Sequence, residues 1–458
     1  MMAMGTADDG LAMPRRGWAA MAIWLAMAIT VLDTAIANVA LPTIGHALNA
    51  APAQVVGVVK FYQIAIIATI LTLAALGEIV GYRWIYLGGL ALFTAASCAC
   101  ALAPNLDTLV LARFCQGLGA AGIMSVNGAL VRFTFPAARL GRAFGINALV
   151  IAMAGMAAPL VAGVILAALS WRWLFGINLV FGGLSLVAGA LALPVARGGA
   201  RALDTRAALL FSAASVCLFL ALQALTGGRH PAWQGVALAL AGGLCAALLV
   251  LRARGQERPL LPFDLIRQPV LRRAYLASIC NFVAQALVLV GLPFYLHARF
   301  GLGALATGLV MATIPLGMGA VALHSGRRAD RTAVGRGSGH GDGGGLILAA
   351  LALAGMGLLR DSGPATLAIA GLVAGAGFGL FQPPNNRIMI DMPARARSGA
   401  AAGMLALSRL CGQLCGAGAA ALLLRLYGAV DSPFIWAAAI GAVLGALAVG
   451  RPSAGTQN

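Results

Sequence analysis

Charge is scarce in this chain: of 458 residues only 10% are charged, thirteen are acids, and Lys60 is the single lysine. A water-soluble domain carries about 25% charged residues, so a soluble enzyme is excluded. Histidine occurs five times and joins cysteines and acids in no span or loop, so no metal site, cofactor or catalytic cluster is expected. The eight cysteines (98, 100, 115, 217, 245, 280, 411 and 415) all fall inside apolar runs. There a thiol behaves as a small hydrophobe, and no disulfide framework is implied. Gly339-His340-Gly341-Asp342-Gly343-Gly344 fits the Gly-x-Gly-x-x-Gly pattern, but no strand precedes it and no nucleotide reading follows.

What the chain does have is hydrophobicity: 61% of its residues are apolar and the mean hydropathy is +0.92. Apolar runs of about twenty residues recur from end to end, the length a helix needs to cross the hydrocarbon core. Cutting at charged, Pro and Gly clusters gives fourteen spans, near 17–41, 54–76, 84–103, 108–131, 143–169, 173–195, 203–225, 233–251, 273–297, 304–325, 344–359, 364–386, 399–424 and 432–450. The first is too long for the core of a cleavable signal. The expected fold is therefore an all-α polytopic membrane protein. Its net charge of +18 does not point to nucleic acid, because the arginines sit singly or in small groups between apolar runs.

Those arginines set the orientation. With the N-terminus inside, twenty-three basic residues fall in inner segments and five in outer ones, while Lys60, Arg113 and Arg409 stay within spans. The positive-inside rule then places both termini in the cytoplasm. Ala138 to Gly145 recurs as Ala396 to Gly403, an offset of 258, and Leu41-Pro42 recurs as Leu292-Pro293, an offset of 251. Spans 1–6 thus repeat as spans 9–14, with spans 7 and 8 inserted. The segments expected are a tail at 1–16, a six-helix half at 17–195, a linker with two helices at 196–258, a second half at 259–450 and a tail at 451–458. Parallel halves of this kind form transporters with a binding site between them near the midplane.

Four motifs in chain order carry a family resemblance. They are Leu32-Asp33-Thr34 with Asn38-Val39-Ala40-Leu41-Pro42; Leu111-Ala112-Arg113-Phe114-Cys115-Gln116-Gly117-Leu118-Gly119; Gly145, Ala154, Ala158-Pro159 and Ala162-Gly163; and Trp171-Arg172-Trp173-Leu174-Phe175 with Asn178. Together they resemble the major facilitator superfamily, specifically its fourteen-span drug:proton antiporter branch. The third set resembles that branch's antiporter motif, with three glycines replaced by alanine. The loop motif of the family is similar to Ala74 to Arg83, including Glu78, Gly81 and Arg83, and to a second copy at Gly326 to Arg331 with Asp330.

The resemblance implies a secondary transporter rather than an enzyme: proton-driven export of small amphipathic compounds by alternating access, in a bacterial inner membrane. Its expected partners are a small-molecule substrate, protons and the lipid bilayer, with a monomer as the working unit. A metabolite symporter or uniporter, or a receptor that has lost transport, are the other readings. Asp33 is the one acid well inside a span, about eight residues from its outer end, and Arg113 lies at similar depth. Burial penalises a carboxylate and a neighbouring cation favours it, so an arginine that moves lets Asp33 load and release a proton. The competing reading is a static ion pair that locks one half together.

Glu78, Gly81 and Arg83, with Gly326, Asp330 and Arg331, are candidates for an inner gate. Alternatively, Arg83 is a topology anchor and Gly81 a turn. Gln63, Gln116, Asn127, Asn147, Asn281, Gln285, Gln382, Asn385, Asn386 and Gln413, with Asn38 and Arg409, are candidates for a polar cavity lining or for hydrogen bonds between helices. If Arg113 pairs with Asp33, Arg409 remains uncompensated and favours neutral or anionic substrates. The glycine-rich stretch Gly335 to Gly345 reads as a flexible loop.

Overall fold

The computed structural model describes residues 10–50, 52–55, 57–195, 203–227, 231–254, 256, 259–335, 343–394, 397–428 and 433–449. Its long helices are α1 (Arg15–Ala47), α2 (Gly57–Val80), α3 (Tyr82–Leu102), α4 (Leu106–Thr134), α5 (Leu140–Ala168), α6 (Trp173–Ala192), α7 (Thr205–Gly227) and α8 (Ala232–Ala253). After them come α9 (Pro269–Phe300), α10 (Ala304–Gly335), α11 (Gly344–Leu358), α12 (Pro364–Asp391), α13 (Ser398–Tyr427) and α14 (Pro433–Val449). Among the described residues, twelve of these are long and apolar enough to cross a membrane, while α11 and α14 are shorter apolar helices. The chain is a multi-pass membrane protein, all helical in its described residues.

Local chemistry sets the breaks between helices. Asn105 caps α4 by accepting from the Thr108 amide at 3.0 Å, and the Thr108 hydroxyl returns toward the Asn105 amide at 3.4 Å. Gly81 separates α2 from α3 with a φ of 107°, a conformation closed to most L side chains. α1 and α10 outrun their apolar segments furthest. α1 continues to Ala47, so Asp33 lies fourteen residues from its end, not about eight. α10 continues to Gly335, well beyond 325, because Gly326 lies directly against the Gly141 carbonyl of α5 and that packing continues past the apolar stretch. Of the glycine-rich stretch, residues 336–342 lie outside those described.

The largest buried cluster joins the two halves. It runs from Leu71, Tyr82 and Val126 to Met389, Ile390, Ala401 and Met404, all near the end of the bundle where the arginine-rich loops gather. We call this the basic end. The other two clusters each belong to one half: Ile36, Ala40, Ala158 and Ala162 in the first, Leu292, Tyr295, Ile314 and Phe434 in the second. Among the described residues the halves are thus sealed at the basic end, and no shared apolar cluster joins them at the opposite one.

The inserted helices α7 and α8 pack on each other, and α7 bridges both halves. Ser212 of α7 donates to the Ala68 carbonyl of α2 at 2.6 Å, and Leu222 lies against Gly418 of α13. Asp204 begins α7, accepting from the Ala207 amide at 3.0 Å, from Arg252 at 2.9 Å and from Gln256 at 3.0 Å. The Arg252 hydrogen bond holds its carboxyl well below the usual carboxylate range. A lowered acid stabilises the fold above its unfolded value near pH 4 and loses that contribution as pH falls through its folded value. Asp204→Asn is expected to cost about 0.5–1 kcal/mol at pH 7, the ceiling for a partly exposed pair. Thermal unfolding in detergent should show the gap from the parent closing below about pH 4.

Candidate functional site

Glycines in the fourth-span motif decide what can meet at depth. Gly117 lies directly against the Tyr62 carbonyl of α2, and Gly119 and Gly122 lie against Gly89 and Phe93 of α3. Without side chains there, α2 and α3 close onto α4 and bring their polar groups to Arg113 and Gln116.

The result is a buried network around one carboxylate. Arg113 Nη1 donates to Asp33 Oδ2 at 2.6 Å, and Gln116 Nε2 and Asn178 Nδ2 donate to Asp33 Oδ1 at 2.9 and 2.7 Å. The carboxylate thus accepts three N–H groups, one of them charged. Arg113 Nη1 also reaches Gln116 Oε1 at 2.6 Å, its Nε donates to the Val58 carbonyl at 3.1 Å, and its guanidinium lies 4.2 Å over the Tyr62 ring. Gln116 Nε2 donates to Ser97 at 2.8 Å. Arg113, Gln116, Asn178 and Ser97 have no exposed surface and Asp33 is 2% exposed, so the charge is held by protein groups. Arg113 Nη2 has no hydrogen-bond partner among the described residues, which leaves the guanidinium one donor in hand.

Gln116 is therefore a member of this network and not a free cavity residue. Its partner Asn178 is legible as a polar residue in the fourth motif, whereas Ser97 and Tyr62 give no sequence signal, being ordinary residues of apolar helices.

The second constellation closes the basic end. Glu78 Oε1 accepts from the Ala400 amide at 2.7 Å and the Tyr82 hydroxyl from the Gly399 amide at 2.9 Å, so two residues of the first half cap α13 of the second. Arg132 Nη1 donates to the Ile390 and Pro393 carbonyls at 2.7 and 2.8 Å, satisfying the other side of that junction. Arg387 Nη2 donates back to the Ala137 carbonyl at 3.0 Å. Arg397 is bidentate on Asp264 at 2.6 and 3.0 Å and stands 3.9 Å from Glu78.

Arg83 serves its own half, donating to the Ala190 and Leu193 carbonyls at the end of α6. The side chains of Asp330 and Arg331 lie outside those described. Arg132, Tyr82, Asp264 and Arg397 were not separable in sequence, because a basic or aromatic residue at a span end has the pattern of a topology anchor.

Of the antiporter-type positions, Gly145 packs on α10, where a Cβ would stand 2.6 Å from the Ala322 carbonyl. Ala158 and Ala162 are fully buried in the cluster with Ile36 and Ala40 of α1, Ala154 is buried, and Gly163 is open. The side chains of Asn38 and Pro159 lie outside those described.

The remaining polar candidates divide. Asn385 donates to the Ala274 carbonyl at 3.2 Å, as interhelical hydrogen bonding requires. Buried Asn127 Oδ1, Asn147 Oδ1, Asn281 Oδ1 and Nδ2, Gln285 Nε2 and Gln382 Nε2 have no partner among the described residues. Among the described residues Gln63 and Asn386 make no side-chain hydrogen bond, and Gln413 is exposed.

A pattern describing the Major Facilitator Superfamily matches residues 23–362 of this sequence. The chain belongs to the major facilitator superfamily. It is 40% identical over 452 residues to the uncharacterized transporter YebQ of Escherichia coli K12, covering 96% of each chain. It is 30% identical to the riboflavin transporter RibZ of Clostridioides difficile, covering 81% of this chain and 80% of that one. It is 31% identical to the putative multidrug resistance protein MdtD of Klebsiella pneumoniae, over 62% of this chain and 61% of that one. As a major facilitator protein it is a transporter and not an enzyme.

Proposed function

We propose that this major facilitator protein exports small amphipathic compounds across a bacterial inner membrane in exchange for protons. The observation that carries the reading is the Asp33 network: one deep carboxylate that accepts from Arg113, Gln116 and Asn178. The spare Arg113 nitrogen is the element that lets the same carboxylate exchange partners as it gains and loses a proton. Asp33 carries the proton and Arg113 modulates it.

In this reading α11 and α14 are also spans, the halves run from 17 to 195 and from 259 to 450, and the tails at 1–16 and 451–458 are cytoplasmic. The basic end is then the inner gate, shut by Glu78, Tyr82 and Arg132, and the structure corresponds to the outward-facing state. Gly145 and Gly326 let α5 and α10 close that gate. Gln63, Asn147, Asn281, Gln285, Arg409 and Gln413 line the route between halves. The match to MdtD supports the drug-export form of this reading. The longer match to RibZ favours a second form, carriage of a metabolite.

Proteoliposomes with an imposed pH gradient test the reading. Export by antiport predicts that an acid lumen drives uptake by protein inserted with its basic end outward. A symporter would give the opposite sign, and a receptor no transport at all.

A further inference from the structure

The second half does not repeat the charged network of the first. At the repeat offsets Asp33 corresponds to Ala284, Arg113 to Gly371 and Gln116 to Ala374. One charge stands in the interior instead, Arg409 of α13. Gly412 and Gly416 press on Ile279 and Val283 of α9, Gly418 on Leu222 of α7, and Gly403 on Ala74 and Leu71 of α2. Ala402, Arg409 and Gly416 follow one another at seven-residue spacing on one stripe, which meets α4 at Ala402 and α9 at Gly416. Ala402 meets Gly128 of α4, in the first half, at the sealed end. Arg409 follows seven residues or about 10 Å farther from that end, next to Leu410, which still belongs to the apolar cluster the two halves share. Gln413, one turn beyond, is exposed.

Among the described residues Arg409 makes no hydrogen bond and no ion pair, and its buried Nε has no partner. Its one recorded contact is the Phe282 ring of α9, 5.2 Å from the guanidinium carbon. Next to Phe282, Asn281 has no exposed surface and neither of its amide atoms is bonded. One turn on, Gln285 Nε2 is also unbonded. The only acid at depth, Asp33, is already held by Arg113, Gln116 and Asn178. A cation beside an aromatic ring and unmet amides, with no protein counter-charge, fits an anion that comes and goes.

We propose that Arg409 is the anion-binding residue of the substrate site and that the exported compound is an amphipathic aromatic monocarboxylate. The carboxylate matches the guanidinium fork, the ring system lies along Phe282, and Asn281 and Gln285 meet its polar substituents. A phosphate dianion would need a second cation, whereas one guanidinium balances one carboxylate. The inference rests on the export reading above for its word "exported"; the binding site itself does not.

Equilibrium binding of three probes with one ring system tests it: 1-pyrenebutyrate, its carboxamide and 1-pyrenebutylamine, each titrated onto the full-length protein in lipid nanodiscs at pH 7.5 without a gradient. The carboxylate is expected to bind saturably and about tenfold or more tighter than the other two. Arg409→Gln should remove the preference for the carboxylate over the carboxamide, with an unchanged far-ultraviolet circular dichroism spectrum and thermal midpoint as the sign of an intact fold. Arg409→Lys should keep part of the preference. Absent saturable binding of the carboxylate, equal binding of the amide or amine, or an unchanged Arg409→Gln protein would each overturn the proposal. If Arg409→Gln does not fold, the parent's selectivity and Arg409→Lys still decide. Because no gradient is applied, this test can fail while gradient-driven transport by the same protein survives, and the reverse.

Discussion

Asp33→Asn is expected to abolish transport driven by a pH gradient, reducing it to the level seen when the gradient is dissipated, while the protein still folds and inserts. Asn keeps the shape and can still accept from Gln116 or Asn178, but it cannot carry a proton or balance Arg113. Leaving Arg113 buried without its counter-charge costs about 3–5 kcal/mol, so a lower Tm in detergent accompanies the loss. The decisive comparison is with downhill equilibration of the same solute. If Asp33 is the coupling group, downhill movement persists and only uphill transport is lost. If the pair merely locks the first half together, both fall together in proportion to stability. Asp33→Glu, which restores a titratable group, should recover part of the uphill rate.

The next largest effect belongs to the gate. Glu78→Ala removes the carboxylate that accepts from the Ala400 amide and leaves the first turn of α13 without its partner from the other half. A lost cap of this kind costs about 1 kcal/mol, and the lost charge at a helix N-terminus about 0.3–1 kcal/mol more. An equilibrium between open and closed basic ends should move by roughly tenfold toward open. Transport should fall several-fold, and cysteine labelling of the interior from the basic side should quicken by a similar factor. Arg83→Ala is the contrast, since Arg83 bonds only within its own half, at Ala190 and Leu193. It should lower Tm and leave labelling of the gate unchanged. Equal labelling shifts in the two variants would remove Glu78 from the gate.

The helices were legible in the sequence because a membrane imposes one strong requirement, about twenty apolar residues per crossing. The same signal could not mark helix ends beyond the apolar stretch, where α1 and α10 continue on backbone bonding and on contacts such as Gly326 against Gly141. Asp33 and Arg113 stood out because charge inside a span is costly. Gln116 was misplaced among the cavity candidates because a polar residue in an apolar helix looks alike whether it lines a route or holds a carboxylate. Asn178 reaches Asp33 across 145 residues of chain, and no periodicity reports such a contact. The gate was half legible. Glu78 was visible as an acid beside a helix break, but Arg132 and Arg397 were indistinguishable from the other basic residues at span ends until the Ile390 and Pro393 carbonyls were located at Arg132, and Asp264 and Glu78 at Arg397.

Protonation of Asp33 as the event that moves the halves is the central claim, and it can be measured without knowing the substrate. Spin labels at Val80, in the last turn of α2, and Met392, at the end of α12, are both exposed and lie on opposite halves at the basic end. In a background freed of native cysteines, the distance distribution between them reports the closed and open forms. In the structure Asp33 accepts from Arg113 while the basic end is closed, so a mainly short distance is expected at alkaline pH. Acid should transfer population to longer distances, with no such change in Asp33→Asn. A distribution that ignores pH in the parent protein, or that responds equally in the Asn variant, would contradict it.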